Sequence, residues 1–139
     1  MTTETVTGSS VTPNAERGLL PFVLWGAGLW AVAAVFVRLA GGFLLDPSAP
    51  VVLAALYVVT VPAMTALALG IFRLHGVAGE RRGRVVAALL LPVVVLDAGA
   101  LLAFGTLFPN LAPGSVGLFG AWVLVAYVGV LLAVFVPRE

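Results

Sequence analysis

The chain has 139 residues, of which 62% are hydrophobic and only 9% charged, and its formal net charge is +1. Soluble domains carry about 25% charged residues, and a fold this short leaves too much surface exposed to hide so apolar a composition from water. An ordinary soluble domain is excluded, and the lack of Cys, with one His, removes thiol nucleophiles and any conventional metal centre.

Residues 1–17 are rich in Thr, Ser and other polar types without apolar periodicity, and predict a disordered tail ahead of a single domain over 18–137. The first apolar run, Leu19 to Val37, is too long for the h-region of a cleaved signal peptide, and its flank holds Glu16 beside Arg17. A retained membrane helix over about residues 19–40 follows. Three further runs predict spans over about 51–73, 85–108 and 115–136, each near the length that crosses a bilayer core. Barrel strands alternate in polarity and are half as long, so the fold class is all-α: a polytopic four-transmembrane-helix bundle. Pro21, Pro50 and Pro113 sit near helix starts, where a missing N–H is harmless.

Orientation follows from arginine, the sole basic residue type. Arg73, Arg81, Arg82 and Arg84 crowd the connection between spans two and three, Arg17 precedes span one and Arg138 follows span four. The positive-inside rule then places both termini and that topogenic cluster in the cytoplasm, and the protein in the cell membrane. The cluster is too short for a nucleic-acid reader, and contact with anionic head groups explains it.

Inside the spans, Pro62 and Pro92 each remove a backbone donor, freeing the carbonyls of Val58 and Ala88 and predicting helix kinks; Thr60 and Thr65 lie near enough to Pro62 to help. Small residues form faces on several helices: Ala27, Gly28, Ala31 and Ala34 on span one, and Ala126, Gly129 and Ala133 on span four. Such faces let helices approach closely and suit a homo-oligomer or a partner membrane subunit. Trp25, Trp30 and Trp122 read as belt or packing residues, and nothing in the sequence fixes a partner for Tyr127.

Asp97 is the exception, a carboxylate in the uncharged run from Val85 to Phe108. An ionised side chain there costs about 2.5–3.5 kcal/mol unless paired. By helical rise, Asp97 lies about 20 Å beyond Arg84, and Arg38 about 27 Å beyond Leu20, a difference in depth that an Arg side chain nearly spans. An intramembrane ion pair between Arg38 and Asp97 is therefore expected, with a snorkelling Arg38 and a proton-carrying Asp97 as the alternatives.

Four strings, Phe36-Val37-Arg38, Leu96-Asp97-Ala98, Phe108-Pro109-Asn110 and Gly117-Leu118-Phe119-Gly120-Ala121-Trp122, resemble a family of small four-span prokaryotic membrane proteins classed as a domain of unknown function. The resemblance implies a bacterial or archaeal membrane protein and carries over no catalytic residue. Small multidrug-resistance transporters are similar in size and span count but depend on a Glu in the first helix, where this chain has no carboxylate. No nucleophile–base pair and no cofactor motif is evident, so an enzyme is not expected. The expected role is a structural or accessory subunit, with a small proton-coupled transporter using Asp97 as the alternative.

Overall fold

A computed structural model describes residues 18–137, so the tail expected over 1–17 and the flanking Arg138 lie outside the described residues. The described chain holds four long helices: α1 (Leu20–Leu44), α2 (Pro50–His75), α3 (Arg81–Leu102) and α4 (Val116–Leu132). A one-turn helix, Phe104–Leu107, follows α3, and 3-10 turns at Pro113–Ser115 and Ala133–Phe135 flank α4. No strand occurs among the described residues. The four long segments are each apolar and long enough to cross a membrane.

The ends of the helices have local causes. Prolines open α1, α2 and the turn before α4, where φ is already helical. Gly76, at φ 64°, closes α2, and the Val77 amide returns to the Phe72 carbonyl at 2.8 Å while its side chain is buried. Past α1, Asp46 folds the chain through an Asx turn, accepting from the Ser48 amide at 2.9 Å and its hydroxyl at 2.7 Å. That carboxyl is held below the usual carboxylate range, first by the Ser48 amide and then by the hydroxyl. Span three differs from expectation: the helix breaks at Ala103 instead of running to Phe108. The break lets Phe104 and Phe108 turn inward onto Phe119, with ring centroids 5.2–5.7 Å apart.

The helices pack in two parallel pairs, α1 with α3 and α2 with α4, and contact between α1 and α2 is slight. Each pair is built on a glycine that meets a proline-bearing stretch. A Cβ on Gly26 would lie 2.0 Å from the Leu89 carbonyl oxygen and 3.1 Å from Pro92 Cγ. A Cβ on Gly129 would lie 2.6 Å from the Val61 carbonyl oxygen, beside Pro62. Backbones this close need glycine, and close packing is what joins helices in lipid. Gly28, on the small face expected to pack, has no such neighbour and is exposed.

Apolar side chains fill both ends. Phe22, Phe72, Val85 and Leu89 centre one cluster at the arginine-bearing end, and Val37, Leu45, Phe108 and Phe119 centre another at the opposite end. Large apolar residues such as Leu39, Val51 and Leu102 face outward. In water such a surface would aggregate, whereas against acyl chains it costs nothing.

Candidate functional site

Between the two apolar clusters lies a cleft of about 480 Å³ lined by all four long helices. Its walls are apolar and aromatic, and Asp97 of α3, 5% exposed, is part of its lining. Gly26 sets this geometry. It seats α1 on α3 at Leu89 and Pro92, and Trp30, one turn further along the same face of α1, then reaches Asp97. The Trp30 indole N–H donates to Asp97 Oδ1 at 2.8 Å. From the other pair, the Tyr127 hydroxyl of α4 donates to Oδ2 in a short hydrogen bond.

The expected ion pair is therefore absent among the described residues. Arg38 donates instead to the Leu107 carbonyl at 2.7 Å, an exposed contact that fastens α1 to the one-turn helix after α3. Leu107 ends its helix, so its carbonyl has no intrahelical partner and is open to the Arg38 guanidinium. Among the described residues Asp97 has two neutral donors and no cation. A carboxylate offers about four lone-pair sites, so each oxygen keeps one for a further donor.

The other residues singled out by sequence have separate roles. Pro62 and Pro92 lie inside continuous helices. Thr60 bonds the Leu56 carbonyl at 2.6 Å, and the Thr65 hydroxyl lies 2.9 Å from the Val61 carbonyl and 2.7 Å from that of Gly129. Neither reaches the carbonyl of Val58 that was expected to need them. Thr60 Oγ1 also accepts from the Trp122 indole at 2.8 Å, on the cleft wall.

Arg73 closes α2, while Arg81, Arg82 and Arg84 form the first turn of α3. Cations at a helix N-terminus oppose its dipole, so tertiary contacts must compensate. Arg82 supplies them and is not the head-group-contacting loop residue expected. It is 8% exposed, donates to the carbonyls of Ala133 and Val136 at 3.2 and 2.6 Å, and lies 5.0 Å from the Phe72 ring centroid. Arg81 reaches the Gly18 carbonyl at 3.1 Å, and Arg73 and Arg84 are exposed. His75 accepts from the Trp25 indole at 2.9 Å, which joins α1 to α2 at this end.

An all-helical chain with four helices long and apolar enough to cross a bilayer has the architecture of a multi-pass membrane protein. Over residues 44–139 the sequence matches DUF5367, a family of unknown function, and the chain belongs to that family. Asp97 and Tyr127 lie within the match and Trp30 precedes it. No curated protein and no solved structure significantly matches the chain.

Proposed function

We propose that the protein is a small membrane carrier whose working group is Asp97, which holds a proton or a ligand in turn within the cleft. The observation that carries this reading is a buried carboxyl that lines a ligand-sized apolar cleft and has no cationic partner among the described residues. Pockets of about 300–1,000 Å³ with few convergent polar groups are typical of small-molecule sites. Ionisable groups within spans are costly, and they mark transport pathways and proton relays. The arginine cluster supports a cell-membrane location with both termini cytoplasmic. The exposed Gly28 and Ala31 leave a small-residue face on α1 for a second copy or a partner subunit.

One observation favours the structural reading as a second. Trp30, Asp97 and Tyr127 come from three helices, so their hydrogen bonds also clasp one helix pair to the other. Dicyclohexylcarbodiimide, an apolar reagent that adds to protonated carboxyls, separates the two readings. A working carboxyl in the folded protein should be modified at Asp97, located by peptide mass spectrometry and lost in Asp97→Asn. Trp30→Phe and Tyr127→Phe should modify faster, since each frees an oxygen. Modification of Asp97 only after unfolding would make it a sealed clasp and reject the carrier.

A further inference from the structure

The cleft opens in one direction. Its exposed lining residues are Val32, Ala33 and Phe36 on α1 and Val59, Ala63 and Leu67 on α2; the lining from α3 and α4 is buried or half-buried. These six lie near the middle of their helices, so the mouth faces sideways at mid-span depth, where α1 and α2 barely touch. What reaches Asp97 by this route comes from the acyl-chain region and not from water.

We infer that the cleft binds a lipophilic monovalent cation, taken from the bilayer between α1 and α2. This rests on Asp97 being an accessible working group, as proposed above. The charge argument is complementarity: the wall is apolar, its one acidic or basic side chain among the described residues is a carboxyl, and the partners of that carboxyl are neutral donors. An anion or zwitterion would set a negative charge against that carboxyl in a medium that screens it poorly. A bare alkali or divalent ion needs about six or more oxygen ligands, far more than this wall offers.

A cation whose charge is shielded by apolar groups needs no such ligands and already partitions into lipid. Aromatic walls suit it further, because ring faces attract cations, and Trp30, Phe108, Phe119, Trp122 and Tyr127 all line the cleft. The free lone pair on each Asp97 oxygen also suits a protonated amine, which brings N–H donors to it. Quaternary and protonated lipophilic amines are thus one class for this site: bulky, apolar and singly charged.

The test is binding of tetraphenylphosphonium to the full chain in lipid nanodiscs by equilibrium dialysis, with neutral triphenylphosphine as competitor. Saturable binding of one cation per chain is expected, weakened about tenfold or more in Asp97→Asn and retained in Asp97→Glu. Triphenylphosphine should compete poorly. Ala33→Trp and Ala63→Trp fill the mouth without touching Asp97 and should weaken binding while leaving the protein folded. If Asp97→Asn fails to fold, the competitor and the mouth variants decide. Equal competition by triphenylphosphine would mean a cleft that takes any apolar body, such as an acyl chain, and would overturn the inference. So would unchanged binding to the mouth variants. Absence of cation binding while carbodiimide still modifies Asp97 would remove this ligand class and leave the carrier reading in place.

Discussion

Two glycines two residues apart give the sharpest test of how α1 is seated. An added Cβ at Gly26 would lie 2.0 Å from the Leu89 carbonyl oxygen, whereas at Gly28 it would meet nothing within 4 Å. A methyl carbon and a carbonyl oxygen settle at about 3.3 Å, so Gly26→Ala must drive α1 from α3 by about 1.3 Å. Overpacking of this kind costs about 1–3 kcal/mol. The helix-propensity gain from Gly to Ala is shared by Gly28→Ala and cancels in the comparison. Gly26→Ala should therefore lower the folded-to-unfolded ratio about 5- to 160-fold relative to Gly28→Ala. Unfolding by denaturing detergent in mixed micelles, followed by tryptophan fluorescence, measures that ratio. Trp30 is carried on the displaced helix, so Gly26→Ala should also speed carbodiimide modification of Asp97, and Gly28→Ala should not. Equal stability of the two variants, or a less stable Gly28→Ala, would refute the proposed contact between α1 and α3.

Arg82→Met removes the donors that hold the Ala133 and Val136 carbonyls and should cost about 1.5–3 kcal/mol in the same unfolding assay, while exposed Arg84→Met stays within about 0.5 kcal/mol. Equal losses would return Arg82 to a purely topogenic role. At the opposite end, Ser48→Ala removes one of the two donors that hold the Asp46 carboxyl low, and an NMR titration should find it moved part of the way back up. A depressed native carboxyl stabilises the fold above the unfolded value of about 3.9 and loses that contribution as pH falls through its native value. The variant should thus be the less stable at neutral pH and match the parent in strong acid; a difference that grows on acidification would contradict the Asx turn.

Composition made the four spans legible, because about 20 consecutive apolar residues have few alternatives to crossing a bilayer. Asp97 stood out on the same grounds. Its partners did not, because depth along a helix constrains height and leaves rotation free. Arg38 matched Asp97 in height, yet the Leu107 carbonyl, unpartnered at the end of its helix, took the guanidinium instead. Trp30 and Tyr127 were visible as donors inside spans one and four, and a carboxyl in need of partners was the available signal. The pull of formal charge pointed to Arg38, though neutral donors suffice for hydrogen bonding. Which glycine seats α1 was hidden for a related reason: Gly26 and Gly28 look alike in sequence, and only the position of Leu89 distinguishes them.

The clasp and the proposed carrier would share the same atoms, and that has a mechanical consequence. At mid-depth, the hydrogen bond from Tyr127 of α4 to Asp97 of α3 crosses between the two helix pairs, while Thr60, Thr65 and Trp122 bond within the pair α2 and α4. The remaining links between pairs lie near the helix ends, at Arg82, at Trp25 with His75, and at Ser115, which bonds the Leu45 carbonyl. A proton or cation arriving at Asp97 competes for the lone pairs that Tyr127 and Trp30 use. Occupancy of the cleft and packing of one pair on the other are therefore linked by a single carboxyl, and by reciprocity whatever loosens the pairs alters affinity at Asp97. A rigid accessory subunit would place a leucine there at lower cost; under the carrier proposal, a carboxyl in that position would make pair packing responsive to what the cleft holds.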